Sequence, residues 1–483
     1  MCAQAVSMNS RTTPLLDALV CARRRGRTAG CPSSDDQQGR DENPVHPASG
    51  LNRGWRRLSA GTRTKSAHCR VWLTWGFSAL DAGHMTGESR TAIGVRIAEV
   101  RKTHGVTQVS LARRARVSSS LLQKVERGTR PASPSLIAAV AAALGVSVID
   151  LTEQPYWSRN AAPDSEQSGV PGLRQALVEG DDPDIDTAVR GLVELRAAVA
   201  EIKEFDRRTK HAEAVRALPD VLRHLHRASH DVAASDRPEV FELLSAAYSY
   251  AVVALYRLGH LDLAHLADER ARRAASLGGD PLRAAVSEWN HALILLFDGS
   301  YNAGLRSIDR AAALVDLAPT DSSSSAVRGA LHLRASVLAA RSGDGELADE
   351  HLRAAGDLAM PSHEAANPYG TKFGAANVDI HRVAVPVELC DGTTAVSRAD
   401  GIHLPAGTAP SRSGHYWIDL SRAWLLHGDR RRALESLNQA RRIAPQLTRY
   451  HPQVHETVHA LAARDSRTTS SLANFAAWCG VRG

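Results

Sequence analysis

Five glycines punctuate the second half of the chain, each closing one Ala/Leu/Arg-rich helical pattern just before another opens. They are Gly259 in "YRLGHLDLA", Gly299 in "LFDGSYNAG", Gly343 in "ARSGDGELA", Gly392 in "ELCDGTTAV" and Gly428 in "LLHGDRRRAL". Their spacings are 40, 44, 49 and 36 residues, about the length of a helix, a tight turn and a second helix. A hairpin of that size cannot hide its apolar face alone, so successive units must stack into a continuous core. This restricts residues 173–483 to an α-solenoid of helical hairpins and the fold class to all-α.

The last unit is the clearest. "AWLLHGDRRRALESLNQARRIAP" has the turn Gly428, the small residues Ala433 and Ala440, and the closing Pro445. This pattern resembles a degenerate tetratricopeptide repeat array; earlier units depart in length and lack its large aromatic positions. Residues 185–230 are expected to add an irregular leading hairpin. "HPQVHETVHALAARD" and "SSLANFAAWCGV" are expected to cap the array, and Pro386 to kink its helix.

Charge is unevenly divided. Residues 1–84 hold 12 Arg/Lys against 6 Asp/Glu, and residues 91–152 hold 9 against 3. With a net charge of +7, the remainder from residue 153 carries −5. A compact basic block ahead of a mildly acidic body suits a polyanion-binding head.

Within that block Ile93, Ile97 and Val100 keep helical spacing up to Gly105. Thr107 can cap a second helix, with Leu111, Ala112 and Ala115 facing inward. Ser118 can cap a third, which buries Leu122 and Val125 and stops at Gly128. "SLIAAVAAALGVSVIDL" supplies a fourth through Leu136, Val140 and Leu144. Ala112 is small where two short helices must cross. The outward face of the third helix is then Ser119, Ser120, Gln123, Lys124 and Arg127, polar and free of acids, as the major groove of DNA requires.

Residues 92–151 closely resemble the phage-repressor or XRE type of helix-turn-helix domain, through "TQ", "LA", "VS", "ERG" and "ALGVSVIDL". Arg116 stands at the joint where that family usually has Gly. The resemblance implies that Ser119, Ser120 and Lys124 face base edges, and that Gln108, Arg127 and Arg130 bind phosphate. It also implies that Arg101 and Glu126 form an internal ion pair joining the first and third helices. The bland alternative is a small helical bundle with no nucleic-acid partner.

Residues 1–84 show no sustained period and read as a disordered basic extension. Met85 is an alternative natural start, since "MTGESRTAIGVRIAEVRK" leads into the first organised helix. Residues 153–172 read as a linker and 91–152 as the DNA-binding domain. No apolar run approaches the roughly 18 residues of a membrane span. "LLDALVCA" does not read as a secretory signal, and six cysteines without a CxxC point to a reducing cytoplasm, not a disulfide or zinc scaffold.

Catalytic fingerprints are missing: no Walker loop, G-x-S-x-G, HExxH or dinucleotide motif occurs. No enzyme, cofactor or metal is expected, and His224, His226 and His230 read as a basic helix face. Solenoids expose a concave groove lined by the first helix of each pair. Candidates there are Trp289 and Asn290, with Asn377, His381 and Arg382, for a peptide, small-molecule or protein effector. The alternative is that these are polar residues facing solvent or satisfied contacts between helices.

The composite expectation is a sequence-specific regulator that binds double-stranded DNA as a homodimer and responds to an effector. The alternative is an interaction scaffold whose repeats recruit a partner and whose DNA head is only a tether.

Overall fold

The computed structural model describes residues 92–155, 165–183, 190–359, 369–463 and 470–481. The basic extension 1–84, the alternative start at Met85 and part of the expected linker lie outside the described residues. Those described form 21 helices and no strand.

Five short helices make the head: α1 (Ile93–Thr103), α2 (Gln108–Arg114), α3 (Ser119–Glu126), α4 (Pro134–Leu144) and α5 (Val148–Thr152). Each of the last four begins where a hydroxyl satisfies an orphan backbone donor. Thr107 accepts from Ser110 N, Ser118 from Leu121 N, Ser133 from Leu136 N, and Ser147 from Asp150 N. Ile97, Leu111, Ala112, Leu122, Val125, Leu136, Val140 and Leu144 form one buried core. Gly94 lets α1 rest on α3, since a Cβ there would stand 1.9 Å from the Val125 carbonyl oxygen.

The repeat domain opens with α6 (Val170–Glu179), α7 (Leu192–Arg207) and α8 (His211–Asp231). Five antiparallel pairs follow: α9 (Arg237–Leu258) with α10 (Leu261–Gly278), α11 (Pro281–Phe297) with α12 (Tyr301–Val315), and α13 (Ser322–Ser342) with α14 (Gly345–Leu358). Next come α15 (Ala375–Glu388) with α16 (Gly392–Ala399), and α17 (Pro410–His427) with α18 (Arg430–Ile443). Finally α19 (Pro445–Arg449), α20 (Pro452–Ala462) and α21 (Ser470–Cys479) close the array. Alanines run down the second helices (Ala264, Ala267, Ala271; Ala433, Ala440) and are fully buried, which allows close helix approach. No described helix is long and apolar enough to cross a membrane.

Four of the five punctuating glycines are left-handed turn residues, with φ of 90° at Gly259, 77° at Gly299, 90° at Gly343 and 105° at Gly428. Gly392 is different. It opens α16, and the left-handed residue of that turn is Cys390, φ 62°. Gly392 is there for space, because a Cβ would meet the Leu426 Cβ at 2.5 Å and the Ala423 carbonyl oxygen at 2.7 Å. Pro386 sits inside the last turn of α15, which ends two residues later and is closed by the Asp391 N–H bonding back to the Pro386 carbonyl at 2.8 Å.

Candidate nucleic-acid interface and repeat-domain cavity

Burying Leu122 and Val125 turns the opposite side of α3 outward. Ser119, Ser120 and Lys124 are exposed there, and Arg127 and Arg130 are exposed just beyond. The face stays open although the head is docked on the repeats. Arg101 reaches Glu126 through two bonds, Nε to Oε1 at 2.7 Å and Nη2 to Oε2 at 2.8 Å, and donates a third to the Val106 carbonyl at 2.9 Å. Burial pushes the Glu126 carboxyl up, but bonds from Arg101 and Gln108 outweigh it and hold the group below its ordinary value. The Gln108 amide donates to Glu126 Oε2 at 2.6 Å, so this side chain is half-buried inside the network. Arg116 at the joint has φ 55°, while Val117 N bonds back to the Ala112 carbonyl at 2.9 Å.

The head docks through small surfaces. Ala138 of α4 meets the turn at Gly299, where a Cβ would be 2.3 Å from the Ala138 Cβ. Gly259 receives Pro155 in the same manner, with the Pro155 Cα 2.9 Å from where a Cβ would stand. The Ala132 N–H donates to Glu456 Oε1 of α20 at 2.7 Å. Burial raises the Glu456 carboxyl to about 7. A second cavity of about 60 Å³ lies at this contact, lined by Leu121, Arg130 and Ala132 of the head and by Arg422, Leu425 and Glu456 of the repeats.

A larger cavity of about 180 Å³ occupies the concave side of the array, lined by the first helices α9, α11, α13, α15 and α17. Trp289, Asn290, Asn377 and His381 all line it. Trp289 donates its indole N–H to the Ala330 carbonyl at 3.1 Å, and Arg334 stacks over its ring at 4.4 Å. Asn377 donates to the Lys372 carbonyl at 3.0 Å. The expectation that Arg382 joins them does not hold. One helical residue past His381 is a rotation of about 100°, and Arg382 is exposed and paired with Asp379 at 2.9 Å.

Most of the cavity's charge went unread in the sequence. Arg341 and Arg422 both bind Glu388, at 3.0 and 2.8 Å, and Arg422 also binds Asp419 at 3.0 Å. Lys372 pairs with the buried Asp206. A signal was present: Arg412, Asp419 and Arg422 in α17, like Asn377, His381 and Glu388 in α15, recur at spacings of 3, 4 and 7 on one helix face. Such spacing ordinarily belongs to apolar residues.

His226, within the histidine-rich stretch, bonds the Tyr248 hydroxyl at 2.6 Å. Among the described residues no group of three or more His, Cys, Asp or Glu is placed to hold a metal. Cys390 is exposed and Cys479 buried, and neither forms a disulfide among the described residues.

No curated protein matches the chain. Among solved structures, one similar chain is Bacillus thuringiensis PlcR, determined in complex with the peptide PapR7 and DNA. The identity is 14%, covering 55% of this chain and 93% of that one, with a TM-score of 0.24. The fold described above rests on this chain's own helices. Residues 92–154 match the family model of a helix-turn-helix domain, so the chain carries such a domain ahead of its helical-repeat domain.

Proposed function

We propose that this chain is a sequence-specific DNA-binding transcriptional regulator of the XRE type, acting as a homodimer and responsive to an effector in its repeat domain. The observation that carries the reading is the acid-free, exposed face of α3 on a head that is itself strongly basic. Ser119, Ser120 and Lys124 read base edges, Lys124 reading guanine through its exposed ammonium. Arg127 and Arg130 hold phosphate, and Gln108 joins them only by exchanging its bond to Glu126. Two heads gripping half-sites about one helical turn apart give a footprint that a single eight-residue helix cannot.

Effector response is supported by Arg422, which lines both the large cavity and the small one beneath the head. An occupant that draws Arg422 from Glu388 alters the floor on which Leu121 and Ala132 rest. It shifts the docking equilibrium only by its differential affinity for the two arrangements. The test is selection of duplexes from a random pool by the full chain, followed by titration of the enriched duplex against a scrambled one. The reading requires enrichment of a two-fold-related pair of half-sites; an unenriched pool removes it.

A further inference from the structure

The large cavity holds more positive charge than its own carboxylates can neutralise, and buried acceptors that nothing satisfies. Seven cationic side chains line it against three carboxylates, an excess of four. All three acids are engaged: Asp206 with Lys372, Glu388 with Arg341 and Arg422, and Asp419 with Arg422. Arg257, Arg283, Arg334 and Arg412 form no direct ion pair among the described residues, and Asp206 and Asp419 act on Arg257 and Arg412 only from a distance. Three of these lie over aromatic rings, Arg257 on Tyr256 at 4.7 Å, Arg283 on Tyr369 at 5.0 Å and Arg334 on Trp289 at 4.4 Å. The Nε atoms of Arg283 and Arg412 are buried with no hydrogen-bond partner.

The neighbouring groups sharpen this imbalance. Burial, and then repulsion from Arg412, pushes Arg334 down to about 9; burial, and then Arg257, pushes Arg412 down to about 10. Both stay cationic at neutral pH. Burial holds His381 down to about 3 and His415 well below its ordinary value, so the histidines add no charge there. Concentrating unpaired guanidinium groups in a partly buried site is costly unless something anionic occupies it.

Asn290 and Asn377, 2% and 4% exposed, each present a buried Oδ1 with no donor. Orphaned acceptors in a cavity wall call for an N–H or O–H from the occupant. At about 180 Å³ the space is below the roughly 300–1,000 Å³ of sites for drug-sized ligands, which favours a compact molecule.

We infer that this cavity binds a compact anion, a carboxylate or phosphate, that also carries an N–H or O–H donor. The anion sits among Arg257, Arg334 and Arg412, while its donor meets Asn290 and Asn377. This rests on the effector-responsive reading above and supplies the chemical class of its ligand.

Calorimetry on the full chain tests it with four probes at matched ionic strength. Malate offers anion and donor, succinate the anion alone, glycerol the donors alone, and inorganic phosphate a small anion with an O–H. Saturable binding of malate or phosphate is expected, with succinate at least 10-fold weaker than malate and glycerol silent. The malate arm against the phosphate arm separates the two anion chemistries. Arg412→Met and Arg334→Met are expected to weaken the bound anion at least 10-fold while circular dichroism shows the helical fold retained. Asn377→Asp places a like charge beside the anion and abolishes binding, which keeps the inference testable if an arginine variant fails to fold. No saturable heat with malate or phosphate overturns the inference, as does binding indifferent to these substitutions. Anisotropy on duplex DNA, run in parallel, separates the two readings. Intact DNA binding without anion binding removes this inference alone, and anion binding without DNA binding removes the regulator alone.

Discussion

Glu456 and Ala132, 324 residues apart, share a hydrogen bond of 2.7 Å that ties the head to the far end of the repeat array. The Ile93 backbone N–H also faces the Glu456 carboxylate, yet burial outweighs both donors and lifts the group from 4.5 to about 7. A carboxyl whose folded value is raised favours the folded, docked state below its unfolded value. That stability is lost as pH climbs through the folded value, here between about 4.5 and 7. Docking is therefore tighter at pH 5 than at pH 8, by at most on the order of 3 kcal/mol. Glu456→Gln keeps the acceptor for Ala132 and removes the titration. Amide exchange at Ala132 should lose protection from pH 5 to 8 in the natural protein, after correction for intrinsic exchange, and hold it in the variant. Arg130 and Arg422 face the same small cavity, so both proteins are compared at equal salt.

Gly299 and Gly343 provide a matched pair. Both are left-handed turn residues, at φ 77° and 90°, but only Gly299 touches the head; a Cβ at Gly343 meets nothing within 4 Å. Each Ala substitution costs about 1 kcal/mol of backbone strain. Gly299→Ala adds a clash with Ala138. Chemical denaturation should show a larger loss for Gly299→Ala, together with faster exchange in α4 that Gly343→Ala lacks.

Arg116 occupies the left-handed joint between α2 and α3, where a side chain is strained and glycine is not. The residue is exposed, so nothing in the core is lost by trimming it. Arg116→Gly is expected to stabilise the head by up to about 1 kcal/mol, read as a higher urea midpoint for the head's own transition.

The Arg101–Glu126 pair holds α1 to α3, with Glu126 only 4% exposed at its side chain. Its depressed carboxyl contributes stability above the ordinary value of 4.5, and that stability is lost as pH falls through the lower folded value. Glu126→Gln leaves Arg101 buried without its counter-charge and should cost about 3 kcal/mol at pH 7. The variant's head should also lose its acid-side weakening below pH 4.5, measured by thermal unfolding across pH 3–7.

The parts of this fold that were legible in sequence are those governed by local rules. Thr107 and Ser118 cap α2 and α3, Gly259 and Gly428 turn their hairpins, and Ala433 and Ala440 mark close helix packing, all from spacing alone. Arg101 and Glu126 became a pair only through resemblance, since nothing in a single sequence shows that residues 25 apart meet. The docking of Ala132 on Glu456 was invisible for the same reason. Arg382 was misplaced because polarity was weighed without its angle on the helix. Arg412, Asp419 and Arg422 drew no reading in the sequence, although their shared face is the one a solenoid buries. Gly392 was taken for a turn residue because a glycine selected for space looks the same in sequence as one selected for φ.

Base reading by α3 is tested most directly by fluorescence anisotropy of the full chain on its selected duplex. Lys124→Ala should lose about 1–3 kcal/mol on the selected duplex and almost nothing on a scrambled one. Arg130→Ala should weaken both alike and flatten the salt dependence by about one unit of slope. If the natural protein binds selected and scrambled duplexes equally at moderate salt, or the two variants behave identically on both, the open face of α3 does not read DNA.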